Sequence, residues 1–187
     1  MNLLVLGPQG SGKGTQAKRI SEVHGIPHVS TGDMFREAIA AGTSLGTQVA
    51  PILASGELVP DELTIALIRD RLGEEDARPG FVLDGFPRNV QQAEALDEML
   101  IGIGRGIDTV LFFDVSDDLA AARMRGRAAA EGRTDDTPEV IARRLAIYHE
   151  QTEPVVNRYR AAGVLVPLRA ELTVDEVSAE ILGALRP

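Results

Sequence analysis

Four apolar residues, Leu3 to Leu6, run into the turn Gly7-Pro-Gln-Gly-Ser-Gly-Lys13, and a helical pattern leaves it at Thr15. Gly7, Gly12 and Lys13 stand at the spacing of the phosphate-binding loop G-x-x-x-x-G-K, between a strand and a helix as that loop requires. Glycines leave no side chains in the way, so consecutive N–H groups can converge on phosphate oxygens. The helix that follows adds the positive end of its dipole, and Lys13 adds a full, mobile charge. Gly14 occupies the position where Ser or Thr usually follows the lysine, and Thr15 is displaced by one, which marks a subfamily. Lys13 is one of two lysines against seventeen arginines, so a lysine at this place is a chemical requirement.

The rest of the chain repeats the same grammar. Strand-like runs fall at 2–6, 27–29, 81–84, 109–114 and 164–167. Helical patterns fill 13–24, 32–41, 44–55, 61–73, 89–101, 116–130, 138–162 and 174–185. Short apolar strands alternating with amphipathic helices predict an α/β fold, a parallel sheet covered on both faces. Right-handed crossovers put every strand's C-terminal end on one edge, where ligands bind in such sheets. Asp61 after Pro60 is read as a helix cap, and so is Ser116 ahead of Asp117 and Asp118. Thr173 with Glu176 is read as a capping box. Pro154 is expected to kink or break the helix that starts near 138. Gly102-Ile-Gly-Arg-Gly106 precedes a strand instead of following one, and is read as a helix-ending loop.

Composition excludes several classes of function. A chain of 187 residues with 44% hydrophobic residues can bury a core without disulfides or metals, and it has no cysteine. No stretch approaches the roughly 20 apolar residues of a membrane span, and the first residues enter a strand with no basic leader. A cytoplasmic enzyme with no membrane partner is expected. The net charge of −9 argues against a general nucleic-acid binder, so cations that meet polyanions must be concentrated locally. His24, His28 and His149 are scattered and form no ligand spacing.

A second anion site is written further along. Asp84 ends a three-residue apolar strand ahead of Gly85-Phe86-Pro87-Arg88, so its carboxylate is placed to hold a magnesium shell through water, with Thr15 across the loop. Ser30-Thr31-Gly32-Asp33-Met34-Phe35-Arg36 ends another strand at the same edge. Arg123 and Arg127 share a helix face at i and i+4. Arg133 lies in the polar excursion 126–136, with Asp135 and Asp136 close enough to orient it. Arg143 and Arg144 point about 100° apart on a helix, so one of them faces the site. Arg125, Arg143, Arg158, Arg160 and Arg169 are read as solvated charges. A phosphate monoester needs no general base, so catalysis rests on alignment and on permanently charged guanidinium groups.

Together the loop 7–15 ending Gly-Lys-Gly-Thr, the segment 30–36, Asp84-Gly-Phe-Pro-Arg88 with Gln92, and the Gly-Arg…Arg-Thr-Asp-Asp of 126–136 resemble the adenylate kinase family, in its order and over essentially the whole chain. The resemblance implies a phosphate-loop three-layer sandwich with five parallel strands. Its core would be 1–29, 60–125 and 137–187, with an AMP-binding lobe at 30–59 and a short lid at 126–136. Separately, the charges of Arg127 and Arg133, between Gly126 and Gly132, are expected to draw that segment over bound polyphosphate. The resemblance also implies that Gly10, Ser11, Gly12, Lys13, Gly14, Thr15, Arg123, Arg127 and backbone near Leu172 hold ATP. A glycine is common near that last position, and this chain has none. AMP would be held by Thr31, Arg36, Glu57, Leu58, Val59, Gly85, Phe86, Pro87, Arg88 and Gln92, with Arg133 and Arg144. Lys13, Arg88, Arg123, Arg133 and Arg144 would be catalytic. Mg2+ would sit near Thr15 and Asp84, while zinc is not expected in a short lid without cysteines. The protein is expected to be a monomer. The rival within the same fold is a UMP/CMP kinase, disfavoured because Thr31 and Gln92 suit the adenine edge. A non-catalytic nucleotide-binding assembly factor is disfavoured because Arg36 and Arg88 are both present.

Overall fold

The computed structural model describes residues 1–131 and 136–185. Among them five strands form one all-parallel sheet: β1 (Asn2–Leu6), β2 (His28–Ser30), β3 (Phe81–Asp84), β4 (Thr109–Asp114) and β5 (Leu165–Arg169), in the order β2-β3-β1-β4-β5. The central strand β1 pairs Val5 with Asp84 of β3 on one side and with Leu111 of β4 on the other. Its loop therefore opens at the middle of the sheet's C-terminal edge.

Helices cover both faces, as the alternation of β1 requires. Leu4 and Leu6 belong to a core with α4 (Asp61–Leu72), α5 (Val90–Gly102) and α8 (Glu153–Ala161), through Ile68, Leu96 and Val156. Leu3 and Val5 belong to the opposite core with α1 (Lys13–His24) and α9 (Val174–Ala184), through Ile20 and Ile181. The result is the expected three-layer α/β sandwich. Two smaller clusters lie outside it. Between β2 and α4, the helices α2 (Thr31–Ala40) and α3 (Ser44–Ser55) close on Phe35, Val49 and Val59. A Cβ on Gly46 would stand 2.1 Å from the Ala38 carbonyl oxygen, so glycine sets how closely these two helices approach. The other cluster joins α6 (Asp117–Glu131) to α7 (Pro138–Ile147) through Met124 and Ile141.

The segment expected as one helix from 138 is divided. A π turn at 148–152 separates α7 from α8, and Pro154 sits in the first turn of α8, where its missing N–H does no harm. Thr173 and Glu176 form the expected capping box. Ser116 Oγ accepts from the Leu119 N–H at 3.5 Å. Asp61 is a correction: the cap position is Pro60, with no side-chain cap bond, and Asp61 is the first residue of α4, its carboxylate bonded to α5 instead. The strand β5 runs past the expected end. Pro167 is tolerated there because β5 is the outer strand. Residues 126–131 of the polar excursion continue α6, and 132–135 lie outside the described residues.

Candidate active site

Gly10 and Gly12 have φ of 82° and 96°, in the left-handed region that glycine adopts without strain. At Gly10 the space is also closed, since a Cβ would lie 2.3 Å from the Ala120 carbonyl oxygen. The turn that results ends in Gly12 as the cap of α1. No side chain caps that end, so the first N–H groups of the helix remain open to an anion. The Lys13 ammonium donates to the Gly7 and Pro8 carbonyls, both at 2.7 Å. Burial lowers its pKa from 10.5 to about 8, with Arg88 and Arg127 pushing the same way and Asp84 resisting.

Asp84 reaches the same place from the tip of β3. A Cβ on Gly14 would be 3.4 Å from Asp84 Oδ2, so the carboxylate lies against the first turn of α1 that carries Thr15. Burial alone would raise this carboxyl, yet His28, Lys13 and Arg88 together hold it below the usual carboxylate value. An ionised oxygen donor beside an exposed Thr15 fits a magnesium ion that travels with a nucleotide. Among the described residues, no group of three or more His, Asp or Glu side chains converges as metal ligands.

One cleft of about 790 Å³ unites the two anion sites. Lys13 and Arg88 line it together, as do Arg36, Arg123, Arg127 and Arg144. Each arginine is held by a different device. Arg88 Nε donates to the Gly85 carbonyl at 2.7 Å, its main-chain N–H donates to Gln92 Oε1 at 2.8 Å, and its carbonyl accepts from Thr152 Oγ1 at 2.7 Å. Burial, aided by Arg144 and Arg36, lowers its pKa against the pull of Asp84. Arg36 pairs with Asp33 one turn away. Arg123 Nη1 donates to the Ala170 carbonyl at 2.7 Å and to that of Ser11 at 3.4 Å, tying the phosphate loop to the end of β5. Arg127 bonds Asp136 Oδ2 through Nε at 3.0 Å and Nη2 at 2.7 Å, and Arg144 bonds the other oxygen of that fully buried carboxylate.

Of the expected donor-side residues, Gly10 to Thr15, Arg123, Arg127 and Leu172 all line the cleft. On the acceptor side Arg36, Glu57, Gly85, Pro87, Arg88 and Arg144 line it, whereas Thr31, Leu58, Val59, Phe86 and Gln92 do not. Thr31 Oγ1 donates to the Gly85 carbonyl at 2.9 Å, and Gln92 is buried beneath Arg88. Arg133 and Asp135 lie outside the described residues. Asp136, expected beside Arg133, holds Arg127 and Arg144, because the α6–α7 hairpin brings those two to either side of it. Arg144 is buried and turned to the cleft, while Arg143 pairs with Glu57 at the exposed end of α3.

Sequence reasoning missed His28, Tyr148 and Thr152. His28 lines the cleft with Nε2 3.6 Å from Asp84 Oδ2. The alternation of β2, which places it on the Ser30 side, was the available signal. Tyr148 and Thr152 bracket the π turn and both line the cleft. Their i,i+4 spacing gave only a buried helix face.

Residues 5–164 match the family model described as Adenylate kinase. The protein named Adenylate kinase from Stenotrophomonas maltophilia (strain R551-3) is 47% identical over 186 residues, covering 100% of both chains. Its namesake in Xanthomonas euvesicatoria pv. vesicatoria (strain 85-10) is 46% identical over 185 residues, 99% of each chain. Another of that name, in Parvibaculum lavamentivorans, is 48% identical over 184 residues, 97% of this chain and 90% of that one.

Proposed function

This chain belongs to the adenylate kinase family, and from that membership we propose that the cleft between Lys13 and Arg88 is where the phosphoryl group moves. The reaction is the reversible, magnesium-dependent transfer of the terminal phosphoryl group of ATP to AMP, giving two ADP. The observation that carries the placement is the shared cleft itself: a main-chain amide cradle and a set of guanidinium groups open into one volume.

In this reading Gly10 to Thr15 wrap the ATP phosphates, with Arg123, Arg127 and the backbone at Leu172 on the donor side. Arg36, Arg88 and Arg144 receive the AMP phosphate, in a lobe formed by 30–59 with the stretch Gly85 to Arg88. Thr31, the Glu57–Val59 backbone and Gln92 address its base. Asp84 and Thr15 would hold a magnesium ion through water, and that ion would supply neutralisation of phosphate charge. Lys13 follows the moving charge, and the arginines align donor and acceptor without taking a proton. Arg127 and Arg144, paired through Asp136, line the cleft, and a lid at 126–136 that closes on bound polyphosphate would exclude water. No helix of the described residues is long and apolar enough to cross a membrane. A cytoplasmic monomer that acts on free nucleotides is the proposal.

The test is a coupled assay of ADP formation from ATP with AMP, UMP, CMP and GMP in parallel. AMP is expected to be the preferred acceptor. UMP or CMP at the rate of AMP would establish the pyrimidine kinase instead. ATP binding without any acceptor-dependent ADP would remove the catalytic reading.

A further inference from the structure

Guanidinium groups read phosphate and are indifferent to the base attached to it. Base choice therefore falls to neutral groups, and one of them is held in an unusual way. Gln92 is 1% exposed, with its carboxamide engaged at both ends. Oε1 accepts from the Arg88 main-chain N–H at 2.8 Å, and Nε2 donates to Asp61 Oδ1 at 2.7 Å. A main-chain N–H only donates and a carboxylate only accepts, so these two partners decide which end of the amide is oxygen. Asp61 is itself anchored: Asn89 Nδ2 donates to both its oxygens, at 2.9 and 3.1 Å. Asn89 Oδ1 in turn accepts from the Gln92 N–H at 2.8 Å.

We propose that Asp61 is a specificity-determining positioning residue, which holds the Gln92 amide in the one orientation that prefers a 6-aminopurine acceptor over a 6-oxopurine. This rests on Gln92, which is buried beneath Arg88 and does not itself line the cleft, addressing the acceptor base once that base is bound, as proposed above. A carboxamide has two N–H groups and an oxygen with two lone pairs, and the network uses one of each. One donor and one acceptor remain. Adenine offers their complement, an N6 amino hydrogen and a bare N1. A 6-oxopurine offers the reverse, an O6 acceptor and an N1–H donor. To match it the amide must turn over, which sets Nε2 against the Arg88 N–H and Oε1 against the Asp61 carboxylate. Both contacts are like with like, in a place closed to water where such mismatches cost most. The discrimination thus resides in a residue whose sequence position suggests only a helix cap.

The experiment compares kcat/KM for AMP and for inosine monophosphate, which differs from AMP only at the C6–N1 edge, with ATP as donor. Wild type is expected to favour AMP by about a hundredfold or more, as sites built to pair a polar edge do. Asp61→Ala removes one of the two locks. The AMP preference should fall by about tenfold, through a gain for inosine monophosphate, with the KM for ATP unmoved. Asp61→Asn keeps an oxygen that can accept from both Asn89 and Gln92, and it should retain the preference. Thermal unfolding of each variant separates this from lost stability, because a merely structural role would lower both acceptors alike. Should Asp61→Ala not fold, Asp61→Ser, whose hydroxyl accepts or donates, is read the same way. An unchanged preference in Asp61→Ala beside a changed one in Gln92→Ala overturns the lock and leaves base reading by Gln92 standing. An unchanged preference in both overturns the two together.

Discussion

Replacing Lys13 with methionine is expected to abolish ADP formation and to make the ligand-free protein more stable at neutral pH. The ammonium is held away from water in a cleft that also contains Arg88 and Arg127, which is why its pKa falls from 10.5 to about 8. At 1.36 kcal/mol per pH unit that fall corresponds to about 3 kcal/mol of native-state penalty while the lysine is charged. Methionine fills similar volume without a charge. It leaves the Gly7 and Pro8 carbonyls without their 2.7 Å partner, which returns about 1–2 kcal/mol of the gain. The net expectation is a variant about 1–2 kcal/mol more stable at pH 7. The folded protein binds the Lys13 proton more weakly than the unfolded chain does. Between about pH 8 and 10.5 unfolding therefore takes up a proton, and wild-type stability climbs relative to the variant. By pH 10 the advantage of Lys13→Met should vanish. Urea denaturation of both proteins at pH 7 and pH 10 measures it. A variant less stable at pH 7, or a difference that is equal at both pH values, would refute the reasoning.

Other consequences can be checked with the same enzyme. Arg88→Ala should lower kcat/KM by about 10²–10³, the loss of one charge-stabilising group at the transferring centre, as a coupled ADP assay would show. Thr152→Val deprives the Arg88 carbonyl of its 2.7 Å donor, so kcat should fall with the KM for ATP unchanged, at about 1 kcal/mol of stability. Thr152→Ser should restore it. Phosphate oxygens that meet Lys13 return its pKa upward, so ATP binding near pH 8.5 should take up a proton, measurable by calorimetry in buffers of different ionisation enthalpy.

The parts legible in the sequence are those in which neighbours along the chain act together. The glycine turn before Lys13, the apolar run ending at Asp84 and the Thr173–Glu176 capping box each fit within one local unit, and each appears where it was expected. The illegible parts are meetings of side chains far apart in the chain. Thr152 finds the Arg88 carbonyl across 64 positions, Gln92 finds Asp61 across 31, and Arg143 finds Glu57 across 86. No periodicity encodes such pairs. Asp61 shows the difference most clearly. An acidic residue after proline at a helix start is locally a cap, yet packing of α4 against α5 offers its carboxylate two amide donors, and these win. His28 is hidden for a related reason: alternation puts it on the Ser30 side of β2, but only the strand order brings that side against Asp84.

The helices α2 and α3 close on Phe35, Val49 and Val59, in a cluster that shares no residue with the two cores flanking the sheet. So small a knot of buried groups is expected to melt before the sheet does, since local stability follows the apolar contact beneath it. Warming or mild urea should then loosen the acceptor side first, while the strands and the loop around Lys13 stay intact. Activity should be lost at a lower temperature than the calorimetric unfolding of the chain, and coincident transitions would refute this.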